Sequence, residues 1–581
     1  MKTNFKVMTG LFLLMASMNT FAQANYVQVP QGWSEADKEN IYHLDVGTEI
    51  MPWRWFFNLE LESADSQDKL ANHLSSIGLV DDGHGLPIGV TKVVDQRTSG
   101  LYKESTWIGV NCTSCHTTSL NVNGKPLLIE GGQSLFNLQK FETQVVKSVQ
   151  ATLNNQEKFE RFAEALEATN DEDKESLRDS LSKFQKEFSA ANLRSRHFFS
   201  KSGEDVDYGP GRLDGIGSAT NAFTCALADR LGDVELAKKV VDPKNCSPSN
   251  PPASIPHLWG TPQANFSQWN ADVHASLARN YGAIMAGYGK NWVVSDAAGK
   301  IKFKTTANLI NIAKMETYYK KLRSPSWRDL SDKGVVPALD QASVSRGQQV
   351  YNNQCISCHA VQPKSTFPNI AGNTYWKVGV TPANIVGTAD DYLLSENLRL
   401  VNVPKDIAND FKKEMGKDSI RADGLTSGTT FRSYFMSKTM KAYFSDNHTS
   451  LFDIAKLNNC RPPSVAQKTL GYKSRSLEGI IWTAPYLHNG SVPTLADLLK
   501  PSNERPKAFY IGCANYDAVN GGFNCTKDSE NSFLFDTTKE GNRNYGHEYG
   551  TTLSAKEKSD LISYIKSLEQ PKDPFENSFC N

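Results

Sequence analysis

The chain has no excess of charge of either sign: its 581 residues carry 63 Lys plus Arg against 63 Asp plus Glu. Contact with a polyphosphate backbone needs a clustered surplus of cations, so this balance argues against nucleic acid as a partner. Long hydrophobic runs are missing as well. The most apolar stretch, Val7 to Leu14, falls well short of the roughly 20 residues that span a bilayer, and no transmembrane anchor is expected. Lys2 and Lys6 precede that stretch and Ala22-Gln23-Ala24 follows it. A basic start, a short apolar core and a small-x-small end read as a secretory signal peptide over residues 1–24. The mature chain is therefore expected in the periplasm or secreted. With 39% hydrophobic and 22% charged residues, the remainder has the composition of folded domains. Two narrower gaps matter below: no His lies between His116 and His197, and no Met follows Met440.

The 10 cysteines fall into two groups. Four stand in Cys112-Thr113-Ser114-Cys115-His116 and Cys355-Ile356-Ser357-Cys358-His359, two copies of C-x-x-C-H. Two thiols three positions apart on one helical turn add across the vinyl groups of a single haem, and the adjacent His turns its imidazole onto the iron. A zinc site or a redox dithiol would leave both His residues without a role. Two covalently bound haem c groups with iron are expected, with Cys112, Cys115, Cys355 and Cys358 as attachment points and His116 and His359 as proximal ligands. The other cysteines are Cys225, Cys246, Cys460, Cys513, Cys525 and Cys580. They form an even set in an exported chain, which predicts three disulfides. Short loops rich in Gly, Asn, Asp or Pro favour Cys225–Cys246 and Cys513–Cys525, which leaves Cys460–Cys580.

The motifs lie too far apart for one small cytochrome domain. Ser343 to Gln354 reads as a helix leading into the second motif. Ser554-Ala555-Lys556-Glu557 is a capping box, followed by Leu561, Ile562, Ile565 and Leu568 at helical spacing. A helix before C-x-x-C-H crossing a terminal helix resembles the cytochrome c fold. The expected fold class is mainly α, with two cytochrome c-like haem domains, long loops and an extended helical insertion in the N-terminal half. The predicted boundaries are 25–335 for a catalytic N-terminal haem domain and 336–581 for a C-terminal electron-relay domain. Leu135, Leu138, Phe141, Val145, Val149, Phe159, Phe162 and Leu166 recur at helical spacing in the insertion and predict amphipathic helices with charged outer faces. No fixed-period repeat beyond the haem motif is evident.

The segment Trp482-Thr483-Ala484-Pro485-Tyr486-Leu487-His488-Asn489-Gly490-Ser491-Val492-Pro493 resembles the corresponding loop of bacterial di-haem cytochrome c peroxidases. With Asn544-Tyr545-Gly546-His547-Glu548, the resemblance is closest to the rubber oxygenase and di-haem fatty-acid dioxygenase branch. Supporting segments are Asp82 to Pro87, Gly131-Gly132 and Pro256-His257-Leu258-Trp259-Gly260-Thr261. The resemblance implies that the N-terminal haem is open to dioxygen and oxygenates an unsaturated lipid or isoprenoid, while the C-terminal haem relays electrons. It implies His547 as second axial ligand of the C-terminal haem. His488 is the runner-up, on a loop expected to lie against a haem without ligating iron, and Met415, Met436 and Met440 are further candidates. Related peroxidases also carry calcium between their haem domains, which no position in this sequence assigns.

The two gaps count against the peroxidase pattern, which uses a His shortly after the first motif as acid–base catalyst and a late Met on the second haem. Reduction of hydrogen peroxide, fed by a small electron-donor protein, and non-enzymatic electron transfer are the alternatives. Distal-pocket candidates are Trp259, Trp269, His274, Arg279 and Asn280. Trp259 and Trp269 suit the wall of a dry oxygenase pocket, and His274 is the residue that would serve a peroxidase as acid–base group.

Overall fold

The computed structural model describes residues 26–571 apart from 64–66, 95–101, 103, 197–206, 226–233, 248–250, 361, 367–373 and 462–468. The leader, His197 and Cys580 lie outside the described residues. Helix accounts for 43% and strand for 16%, so the mainly-α expectation holds only coarsely: hairpins and two-stranded ribbons connect most of the helices.

Around the second motif, the helix Gln341–Gln354 starts at Asp340, whose carboxylate accepts the amides of Ala342 and Ser343 at 3.1 Å. It crosses the terminal helix Ala555–Ser567, which carries the anticipated capping box between Ser554 and Glu557. Gly347 sits at the crossing because only hydrogen fits there. A Cβ at that position would stand 1.9 Å from the Asp560 carbonyl oxygen. Arg346 clamps the crossing with two bonds to the buried Asp560 carboxylate, at 2.7 and 3.0 Å.

The insertion forms the helices Leu138–Asn154, Gln156–Ala165 and Asp171–Arg196. Phe141, Val145, Val149 and Phe162 turn inward onto Trp55 and Phe56, as their spacing predicts. Burying each such side chain is worth about 1.5–3 kcal/mol. A second and larger core runs from Val29 to Ile565 and ignores the expected boundary near residue 335. The helix Gly428–Asp446 belongs to the C-terminal half by sequence. Even so, Phe435 packs on Phe223 and Phe303, with ring centroids 5.8 and 4.8 Å away. Asn515 and Tyr516 pair in parallel with Asn121 and Val122.

The fold also contains an internal repeat that the sequence hides. Gly260 and Gly479 both have positive φ; Gln268 and Ala271 do so in one loop, Leu487 and Gly490 in the other. Bridges join Ser267 to Val273 and Tyr486 to Val492, and helices begin at Ser276 and Leu495. Every pair is offset by the same 219 residues. Left-handed backbone at Gln268, Ala271 and Leu487 is held by its surroundings, as such residues commonly are at functional sites. The offset makes Trp269 and His488 equivalent.

Candidate haem sites

At the first motif, strand Thr106–Val110 leads into Asn111, which caps the one-turn helix Cys112–Cys115. The Asn111 amide oxygen accepts the Thr113 N–H at 2.9 Å, and its nitrogen donates to the carbonyls of Ile41 and Leu44 at 2.9 and 3.1 Å. These bonds fix where the two thiols and His116 point. Burial pushes His116 down to about 3, helped by the Arg279 and Arg475 cations and opposed by the Pro256 carbonyl. It is neutral at physiological pH, the state in which imidazole binds metal.

Cys112, Cys115 and His116 line a cavity of about 1460 Å³, larger than the roughly 300–1,000 Å³ of ordinary small-molecule sites. Small and apolar side chains of two helices, Ile216, Ala219, Ala278 and Ala283, leave the space open. The wall continues along Met415, Met436 and Met440 to Lys441, Ser445 and Leu451, which are exposed, Leu451 by 86%. The cavity thus reaches the surface at the carboxyl end of Gly428–Asp446. Arg279 and Asn280 line it too, both held by the buried Glu316 carboxylate, Asn280 Nδ2 at 3.0 Å. Burial raises the Glu316 pKa, but the Arg279 charge and the bond from Asn280 outweigh it and keep Glu316 ionised.

At the second motif, His359 Nδ1 meets the Arg475 carbonyl at 2.6 Å, which leaves Nε2 for metal. The Tyr351 hydroxyl donates to the His359 carbonyl at 2.9 Å. The His547 ring faces that of His359, with centroids 6.1 Å apart and planes at 59°. Two imidazoles bound to one ion at the usual metal–nitrogen distance of about 2 Å have centroids roughly 6 Å apart. His547 has a φ of 48°, its amide donates to the Val386 carbonyl at 2.8 Å, and its Nδ1 is buried without a partner. Burial, followed by the neighbouring His359, pushes its pKa down to about 4. Among the described residues no second ring lies against His116 as His547 lies against His359.

Residues Ser254 to His257, Trp269, Lys473 and Arg475 line both the first cavity and the second, of about 230 Å³. The internal repeat organises this wall. The Pro256 carbonyl, which opposes the fall in the His116 pKa, is 219 residues before the Arg475 carbonyl that meets His359 Nδ1, although His116 Nδ1 itself has no hydrogen-bond partner among the described residues. The Ser254 amide donates to the His488 carbonyl at 2.8 Å, and the equivalent Lys473 amide to the Trp269 carbonyl at 2.7 Å.

Of the sequence candidates, Trp269 stands in this wall, its indole donating to the Ser254 carbonyl at 2.8 Å. Trp259 lies outside both cavities, donating to the Glu130 carbonyl at 2.8 Å and stacked on His257. His274 is also outside them, its Nδ1 on the Asn265 carbonyl at 2.6 Å. His488 lines the second cavity, 4.3 Å from the stacked Tyr472 ring, with Nε2 3.1 Å from the Tyr472 hydroxyl. The methionines considered for the second haem line the first cavity instead. Glu316, Lys473 and Arg475 were not signalled by the sequence, where each reads as an ordinary surface charge. Cys225–Cys246 and Cys513–Cys525 are bonded, and Cys460 is in a disulfide whose expected partner lies outside the described residues. Among the described residues the free cysteines are the four of the two motifs.

Comparison with known proteins finds two matching segments in the C-terminal half. Residues 471–510 match the family described as RoxA-like, cytochrome c-like, and residues 344–392 match cytochrome c. Two proteins of Sinorhizobium fredii (strain NBRC 101917 / NGR234) are similar. Uncharacterized protein y4iJ is 27% identical over 93% of this chain and 92% of its own length. Uncharacterized protein y4iM is 22% identical over 56% and 67%. The matched segments are those of a c-type cytochrome, which implies covalently bound haem c with iron and a haem-based redox function. No helix among the described residues is long and apolar enough to cross a membrane, and no group of three His, Cys, Asp or Glu there could hold a separate metal ion.

Proposed function

We propose that the chain is an exported di-haem c-type cytochrome oxidoreductase, catalytic at its N-terminal site and relaying electrons at its C-terminal one. In this reading Cys112 and Cys115 carry one haem with His116 as proximal ligand. Cys355 and Cys358 carry the other, between His359 and His547. The observation that carries it is the asymmetry of the sites: a facing imidazole at 6.1 Å in the second, and a long accessible cavity in the first. Haem c, where bound, would supply one-electron exchange at the second site and dioxygen activation at the first.

The chain's own residues supply the rest. Met415, Met436 and Met440 give the first cavity an apolar limb suited to an unsaturated lipid or isoprenoid, and their thioethers adapt to irregular shapes. Arg279 and Asn280, fixed by Glu316, are among the polar groups that line it. Among the described residues His116 and His257 are the imidazoles that line the cavity, and His274, the acid–base candidate for a peroxide route, lies outside it. Trp269, in the wall between the cavities, is placed to couple the sites.

The test supplies the purified holoprotein with oleate, linoleate or a polyisoprene under air and follows oxygen uptake. Hydrogen peroxide with a reduced small cytochrome is the competing assay. Oxygen uptake on an unsaturated substrate is expected. Rapid peroxide turnover without oxygen uptake on any of them would replace this reading with the peroxidase.

A further inference from the structure

The wall between the two cavities holds two basic side chains that no carboxylate among the described residues pairs with. Burial, with the Arg475 and Arg279 cations, pushes the Lys473 pKa well down, so an anion beside it is needed to keep it charged. Lys473 and Arg475 stand two positions apart on the extended segment that begins with strand Gly471–Ser474, so both side chains leave the same face. Each lines both cavities. Among the described residues neither has a carboxylate partner. Arg475 donates to the His257 carbonyl at 3.0 Å and lies 5.4 Å over the Trp269 ring. Both ring nitrogens of His257, 5% exposed and in the same wall, also lack a partner. The residues common to both cavities include no Asp or Glu. Cations that line a cavity without a counter-ion are unfavourable, so the wall is suited to anions that arrive from within the cavities.

We propose that Lys473 and Arg475 are a shared clamp for the propionate carboxylates of the haems in both cavities. The proposal rests on the di-haem reading above. Haem c brings two carboxylates to each cavity, which matches a pair of cations that face both. The position equivalent to Lys473 is Ser254 and that equivalent to Arg475 is Pro256, so the repeat places cations on one side only. A single pair then serves two cofactors and couples their electrostatics. The two residues act on the irons as positioning residues.

The test is an optical redox titration of the full-length holoprotein and its variants that resolves both midpoint potentials, with haem counted from the pyridine haemochrome and the intact mass. Taking a cation from beside an iron makes adding an electron harder. Lys473→Met is therefore expected to lower both midpoint potentials with two haems retained, and Lys473→Arg to restore them. Should Lys473→Met not fold, Arg475→Gln is read in the same way. Unchanged potentials, or a shift confined to one haem (as for a cation that serves a substrate carboxylate in the first cavity), overturn the clamp. A wild-type chain carrying a single haem would overturn the di-haem reading itself, before any variant is compared.

Discussion

His488 is 6% exposed and stacked on Tyr472, and burial, with the Arg212 cation nearby, pushes its pKa down to about 3. In the unfolded chain the same imidazole takes up a proton near pH 6.5. The unfolded state therefore binds more protons as the pH falls below 6.5, and stability is lost from there down to about pH 3. His488→Gln should remove about 2–3 kcal/mol of the stability difference between pH 6.5 and 4.5. Urea unfolding at the two pH values checks this, and an unaltered difference would show that His488 is not buried neutral. His547 gives a second prediction. The wild-type oxidised protein should lack the far-red sulfur-to-iron charge-transfer band. His547→Met should gain it, with a higher potential at the C-terminal haem, because thioether ligation favours the reduced iron. At this scale the two C-x-x-C-H motifs were legible, since their spacing is a local pattern in the sequence. The half-buried cations of the wall were not, because Lys473 and Arg475 have sequence neighbours like those of any exposed strand. The methionines were candidates for the nearer motif in sequence, whereas the helix that carries Met436 and Met440 packs on the other half of the chain and Met415 lines the same first cavity.

The crossing of Gln341–Gln354 with Ala555–Ser567 depends on one missing methyl group. Gly347→Ala would press a Cβ onto the Asp560 carbonyl and should cost at least about 1–3 kcal/mol. Thermal unfolding measures the loss. A stability within error of wild type would mean that the helices can slide apart at no cost. Both helices could be read from sequence, because capping and apolar spacing are local signals. The 219-residue repeat could not. Its two copies share Leu258 with Leu477, Gly260 with Gly479, Asn270 with Asn489 and Val273 with Val492, but few positions between. What they have in common is backbone: left-handed residues and a bridge at matching places, which a sequence pattern does not display.

At the scale of the whole molecule, one core joins halves that the motif spacing would separate, and Gly428–Asp446 brings the C-terminal half over the N-terminal cavity. The limb it lines sets access. Met440→Trp should abolish oxygen uptake on long unsaturated substrates while leaving the absorption spectrum and carbon monoxide binding as in wild type. Equal uptake in the variant would place the entrance elsewhere. In the proposed reading one haem is open and the other closed by His547. Titration of the dithionite-reduced holoprotein with carbon monoxide distinguishes the two. One carbon monoxide bound per chain carrying two haems is expected, with the second haem's spectrum unmoved. Two bound per chain, or none, would contradict it.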